Sequence, residues 1–199
     1  MLGPRGAAEF QAALILDTTR KVSKLTTNTA RWLFLAGTTI VDIPSRSRWT
    51  VAQQRGGDLS ERVGRAFRKM LRRHRAAVII GTDSPLLAPR VLGQALAELR
   101  VCDAVLGPCP DGGFYLIGLR RIVPGIFRGV RWSTRFAFRD MLRRLLRIGF
   151  ACSVLASVPD VDRPRDFLDL SDQMVRNPAI RAMAPASWRF LSTAEKNWK

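Results

Sequence analysis

Apolar positions along the chain recur at two spacings, and the changes between them divide it into alternating elements. Over residues 6–22, Ala8, Ala12, Ile15 and Leu16 fall near one face at helical spacing, which predicts an opening helix. Residues 32–36 and 39–43 are short apolar runs that fit strands or one broken strand, followed by a polar, turn-rich loop over 44–48. A second loop over 53–58 leads into a helix in which Leu59, Val63, Phe67, Met70 and Leu71 share a face opposite a row of arginines. Asp58 or Ser60 stands where a cap accepts hydrogen bonds from the first free amides of that helix.

Residues 76–81 form a continuous, β-branched-rich run with no polar alternation, the pattern of a central strand covered on both faces. A helix is predicted over 89–100, with Val91, Leu92, Ala95, Leu96 and Leu99 inward. Strands follow at 103–107 and 113–119 around a turn at 108–112, then a helix at 134–148, a strand at 152–158 and a helix opened by residues 160–164. Strands alternating with helices predict an α/β fold, a mostly parallel sheet with helices on both faces. Residues 1–175 are expected to make one domain, and 176–199, with weak periodicity, a loosely packed helix and tail.

Composition narrows the function. A chain of 199 residues suits one domain with a real core, and no apolar run approaches the roughly 18 residues that span a bilayer. The N-terminus lacks the basic start and apolar stretch of a secretory signal, so the expected location is the cytoplasm. Cys102, Cys109 and Cys152 show no paired metal-ligand spacing and read as reduced structural thiols. The formal charge of +17 is compatible with nucleic acid, an acidic membrane surface or an anionic small substrate. No helix-turn-helix or finger pattern and no interleaved aromatics accompany it, so nucleic acid is not expected as the primary partner.

Candidate chemistry gathers where strands end. In an open α/β sheet, ligands bind beyond the carboxyl ends of the strands. Asp83 follows one predicted strand, Asp111 lies between two, and Asp160 and Asp162 follow another. Carboxylates so placed can hold Mg²⁺ or Mn²⁺ through oxygen, or can simply cap the turns and helices that follow. Gly112-Gly113 fits a plain hairpin turn as well as a binding loop. Gly56-Gly57 before a helix brings backbone amides to a phosphate, or is a flexible connector. Trp132, Ser133 and Thr134 offer a ring and two hydroxyls, although Thr134 also suits a helix cap. His74, the single histidine, lies among arginines and reads as exposed and not catalytic, which disfavours Ser-His-Asp chemistry.

As an ordered set, these segments resemble a known family. Gln54-Arg-Gly-Gly-Asp-Leu-Ser-Glu61, Ile80-Gly-Thr-Asp-Ser-Pro-Leu86, Leu106-Gly-Pro108, Asp111-Gly-Gly-Phe-Tyr-Leu-Ile-Gly118, Trp132-Ser-Thr134 and Asp160-Val-Asp-Arg-Pro-Arg-Asp166 occur in its order. The family is the radical-SAM/selenodomain-associated transferases, related to glycosyltransferases of arsenosugar pathways. The likeness spans about residues 5–172. It implies a glycosyltransferase A-type, Rossmann-like fold that binds a nucleotide-diphospho-sugar with a divalent metal, Mg²⁺ or Mn²⁺.

Carried over by motif, Asp83 and Asp162 resemble the metal carboxylates, and Asp111 resembles a catalytic or sugar-orienting carboxylate. Gly56, Gly57, Asp58, Thr82, Ser84, Gly112, Gly113, Trp132, Ser133 and Thr134 fall in segments that would contact substrate. Family members begin with a strand and a Lys-Thr-Arg-Leu loop; this sequence starts after that point, and residues 22–51 match the pattern poorly. The expected function is a metal-dependent transferase acting on a nucleotide-activated sugar. The alternatives are a nucleotidyltransferase that builds such a compound, and a non-catalytic remnant.

Overall fold

The computed structural model describes residues 2–25, 29–37, 43 and 46–197. Helix α1 (Pro4–Ser23) opens on a proline, whose missing N–H costs nothing in a first turn. Strand β1 (Arg31–Leu35) pairs in parallel with β2 (Trp49–Gln53), Arg31 facing Trp49, as a separate two-stranded sheet. The run expected at 39–43 lies, except for Ile43, outside the described residues, and β2 occupies a stretch not expected to be extended. Helix α2 (Leu59–Leu71) then leads to β3 (Ala77–Ile80), and α3 (Pro89–Glu98) to β4 (Ala104–Pro108). Strand β5 (Phe114–Leu119), α4 (Ala137–Arg147), β6 (Cys152–Val154) and α5 (Pro164–Arg176) follow.

The main sheet has the order β3-β5-β4-β6. Strands β3, β4 and β6 point one way, and β5, inserted between β3 and β4, runs against both. The reversal follows from chain length. Helices link β3 to β4 and β5 to β6, whereas only five residues join β4 to β5, too few for a parallel crossover. The parallel expectation therefore holds for three strands of this sheet and fails for β5.

Helices cover both faces. Ala104 and Leu106 of β4 and Ile117 and Leu119 of β5 pack with Phe67 and Met70 of α2 and Met141 and Leu145 of α4. The intervening Val105 and Leu116 pack on the other face with Val91, Leu92 and Ala95 of α3. Two covered faces explain why β4 carries no polar alternation. Strands β1 and β3 do not pair with one another among the described residues. Both instead line a cavity of about 1000 Å³ that α1 roofs with Ile15, Thr18 and Val22.

The C-terminal stretch departs from its expectation. Past residue 176 come α6 (Pro178–Met183) and α7 (Pro185–Asn197) in place of a loosely packed helix and tail. Ala184 and Leu191 are buried with Phe10 and Leu14 of α1 and with Phe167, Leu170 and Met174 of α5. Asp17, itself buried, fastens this layer. Its carboxylate accepts the Ala186 and Ser187 amides at 2.9 and 2.8 Å and the Ser187 hydroxyl at 2.8 Å. A helix N-terminus with unpaired amides is the place where a buried carboxylate is least costly. The partner was invisible in the sequence because it lies some 170 residues away.

Candidate active site

The segment Gly81–Pro85 begins as the continuation of β3, with Gly81 N–H still bonded to the Tyr115 carbonyl at 2.9 Å. A Cβ on Gly81 would collide with Asp83 Oδ1, so the glycine is what lets the Asp83 carboxylate fold back against the strand end. Helix α1 braces this loop from one side. Gln11 donates to Thr82 Oγ1 at 2.9 Å, the Thr18 hydroxyl to the Thr82 carbonyl at 3.4 Å, and the Lys21 ammonium to the Pro85 carbonyl.

A second loop arrives from β6. After Val154 the chain stays extended along β4, with Leu155 N–H on Leu106 O at 2.8 Å and Val158 N–H on Pro108 O at 3.1 Å. The Tyr115 hydroxyl holds the Ala156 carbonyl at 2.9 Å. Val161 N–H then reaches the Asp83 carbonyl at 2.9 Å, which sets Asp160 and Asp162 on either side of a residue tied to Asp83. Asp162 does not cap the following helix. Arg163 is the N-cap, and Asp166 accepts the Asp162 and Arg163 amides at 3.1 and 2.8 Å.

The third contributor is the β4–β5 turn. Cys109 and Gly113 close it with a 3.0 Å bond, and Gly112 takes the left-handed φ of +93° that such a turn needs. A Cβ on Gly112 would also collide with the Arg135 carbonyl, so glycine is required twice over. Asp111 Oδ1 accepts the Gly113 amide at 2.8 Å. The hairpin reading of Gly112-Gly113 is thus realised, and the same turn carries Asp111 to the strand ends.

Asp83, Asp111, Asp160 and Asp162 are close enough that burial and mutual repulsion perturb them together. Desolvation, followed by the charges of Asp162, Asp160 and Asp111, pushes the Asp83 carboxyl up to about 6. Burial raises Asp160 and Asp162 as well, with Asp111 adding to each. Cys109 joins the group, its ligating atom and those of Asp111 and Asp160 lying within 4.8 Å of one another. Burial and the hydrogen bond to Asp160 drive its thiol well above the ordinary range, so the S–H stays protonated and bonds the carboxylate. Among the described residues, Arg163 beside Asp162 is the basic side chain that offsets these raised carboxyls, by lowering Asp162. Hard oxygens gathered with little counter-charge are a donor set suited to a divalent cation.

The remaining expected residues divide. Thr82 and Asp83 border the 1000 Å³ cavity, as do Gln54, Arg62 and Trp132. The Trp132 ring is packed edge-on between Phe114 and Phe127, at 5.4 and 5.6 Å, and so is held in an aromatic cluster. Ser133 takes a left-handed φ of 57°, and Thr134 shapes the turn before α4 by accepting the Phe136 amide at 3.2 Å, while the cap itself is Phe136. Ser84 is buried beside Asp83, its hydroxyl without a partner among the described residues. Gly56, Gly57 and Asp58 close on the helix they precede. Asp58 accepts the Glu61 amide at 2.7 Å, and Glu61 accepts the Gly57 amide at 3.2 Å. His74 is exposed in the turn after α2. Cys109, read from sequence as a structural thiol, is the member that strand-end reasoning missed, although it directly follows β4.

The layers define an α/β protein of Rossmann-like fold, and the solved structures similar to it are of nucleotide-sugar-transferase type. The chain belongs to the family described as uncharacterized proteins conserved in bacteria (DUF2064), whose model matches residues 19–134. It is similar to a crystal structure from Desulfovibrio desulfuricans G20 that is provisionally named a nucleotide-diphospho-sugar transferase. The identity is 25%, the TM-score 0.80, and the match covers 98% of this chain and 86% of that one. A CMP:2-keto-3-deoxy-manno-octonic acid synthetase solved with CTP shares the fold at 13% identity and a TM-score of 0.54, over 82% of this chain and 88% of that one. No curated protein matches the sequence.

Proposed function

We propose that the protein is a metal-dependent transferase acting on a nucleotide-diphospho-sugar, of the radical-SAM/selenodomain-associated lineage that its ordered motifs resemble. The observation that carries this reading is the mutual charge perturbation of Asp83, Asp111, Asp160 and Asp162 beyond the ends of β3, β4 and β6, with Asp83 itself bordering a cavity of about 1000 Å³. That volume suits a ligand of nucleotide-sugar size.

Asp83 and Asp162 are the proposed metal carboxylates, beside the tighter group of Cys109, Asp111 and Asp160, whose ligating atoms lie within 4.8 Å of one another. A divalent ion bound there supplies neutralisation of the diphosphate charge on the leaving nucleotide. The protein's own groups do the rest. Gly81 gives the Asp83 carboxylate its place, α1 braces the Asp83 loop through Gln11, Thr18 and Lys21, and the Val161–Asp83 bond ties the Asp160–Asp162 loop to it. Asp111 positions or deprotonates the acceptor; its Oδ1 is held by Gly113, which leaves Oδ2 for the acceptor proton. Thr82 and Ser84 flank the metal carboxylate and are assigned to substrate.

A thermal-shift screen of nucleotide-diphospho-sugars with and without Mn²⁺ tests the reading. A rise in melting temperature that needs both sugar nucleotide and Mn²⁺ is expected. A rise with a nucleoside triphosphate and a phosphosugar, accompanied by pyrophosphate release, would point instead to nucleotidyl transfer.

A further inference from the structure

The basic residues are not spread evenly. From Leu59 to Arg75 there are seven Arg or Lys against one Glu, and from Arg120 to Arg147 nine Arg against one Asp. These two segments contain α2 and α4, which cover the same face of the main sheet. They hold a net +14 of the chain's +17, so the rest of the molecule is almost balanced.

The charge points outward. On α4, Ala137, Met141 and Leu145 are buried, while Arg139, Arg143 and Arg147 are exposed along the opposite stripe. On α2, Ala66, Phe67 and Met70 are buried, while Arg65, Arg68 and Lys69 are exposed. Acidic partners are few. Among the described residues, Glu61, Asp103 and Asp140 are the only carboxylates in ion pairs with these segments, and Arg68, Arg72, Arg128, Arg135, Arg143 and Arg147 are in none. Three guanidinium groups, those of Arg131, Arg135 and Arg139, crowd over the Phe136 ring at 4.1, 4.9 and 4.8 Å. One carboxylate, Asp140, pairs with Arg131 and Arg139, so the three guanidiniums share a single internal anion and an external one adds to it.

We propose that the α2/α4 face docks on an anionic phospholipid surface. Two observations favour lipid over nucleic acid. Leu146 stands 57% exposed inside the arginine stripe of α4, and Leu59 is 42% exposed at the start of α2. Exposed leucines among arginines gain by entering the boundary between headgroups and acyl chains, where arginine stems also lie down, and they add nothing to a phosphate backbone. The aromatic rings on this side are also closed to base stacking, because Phe136 is covered by guanidiniums and Trp132 by Phe114 and Phe127. The face adjoins the strand-end site, since the Arg135 carbonyl sits directly over Gly112 of the Asp111 turn. The docking proposal does not depend on the transferase reading.

Cosedimentation of the full chain with vesicles tests it. Binding is expected to vesicles mixing phosphatidylcholine with phosphatidylglycerol, not to phosphatidylcholine alone, and is expected to fade as salt screens the contact. Arg143→Gln and Arg147→Gln should each weaken partitioning roughly fivefold. Leu146→Gln, which leaves the charge unchanged, should weaken binding to vesicles and leave binding to duplex RNA unaltered. The proposal is overturned by absence of binding to the anionic vesicles, by Leu146→Gln binding them as the parent does, or by RNA stripping the protein from them at equal phosphate concentration.

Discussion

Lys21 ties the brace helix to the candidate site, and replacing it with methionine tests how the fold tolerates a buried cation there. The side chain is buried and donates to the Pro85 carbonyl. Desolvation outweighs the attraction of Asp17 and lowers its pKa from the usual 10.5 to about 8. Between those values the unfolded chain keeps a proton that the folded chain has released, so stability rises with pH across the window from about 8 to 10.5. At about 1.4 kcal/mol per pH unit, the burial penalty present at pH 7 and relieved by pH 10.5 is about 3 kcal/mol. Lys21→Met removes that penalty and also a charged hydrogen bond of similar size, so stability near pH 7 should change little. What disappears is the slope.

Urea denaturation of both proteins at several pH values between 7 and 10.5 reads this as a difference. The comparison matters because Tyr115, raised to about 12, and Cys152, raised to about 11, both by burial, work in the opposite direction. Those groups keep protons in the folded state that the unfolded state loses, and their effect cancels between parent and variant. The parent should gain up to about 3 kcal/mol relative to the variant over the window. A constant difference between the two curves would refute the claim that Lys21 is desolvated.

Three further outcomes follow from single contacts. Asp17→Ala strips three hydrogen bonds from the start of α7 and should cost about 2–4 kcal/mol in denaturant titration, with Asp17→Asn milder. Gly112→Ala forces a side chain into left-handed backbone and against the Arg135 carbonyl, and should lower the thermal midpoint by several degrees, about 1–3 kcal/mol in stability. Hydrogen bonds from Arg131 hold the Asp140 carboxyl down at about 2, so its stabilising share is complete above pH 3.8 and is lost as pH falls through about 2. In Arg131→Gln, a carbon-13 titration of that carboxyl should move its midpoint back toward 3.8.

Much of this architecture is written in local pattern. The run at β3 lacks polar alternation because Ala77 and Ile79 pack on one face and Val78 and Ile80 on the other, but the central place expected for it is not realised: among the described residues β3 pairs only with β5, at the edge of the main sheet. The amphipathic arginine helices α2 and α4 are equally plain from their periodicity. Placing carboxylates at strand ends brought Asp83, Asp111, Asp160 and Asp162 into view; the four perturb one another's charge, while ligating atoms come within 4.8 Å for Asp111 and Asp160, together with Cys109. What stayed hidden depends on contacts distant in sequence. Cys109 gained meaning only when the β6 loop brought Asp160 beside it. The packing of α6 and α7 rests on Asp17, and weak periodicity alone suggested a loose tail. The Gly56–Asp58 segment could serve a phosphate or a helix, and its hydrogen bonds go to α2. The cavity between β1 and β3 left no trace in pattern either, since a strand's own alternation does not record which strand lies beside it.

The central claim is that the strand-end carboxylates bind a sugar nucleotide through a divalent ion. Calorimetric titration of Mn²⁺ and a nucleotide-diphospho-sugar into the parent and Asp83→Ala tests it most directly. The parent should bind the sugar nucleotide only when Mn²⁺ is present, and Asp83→Ala, with its fold intact by circular dichroism, should not bind it. Undiminished binding in Asp83→Ala, or equal binding to the parent without Mn²⁺, would contradict the account.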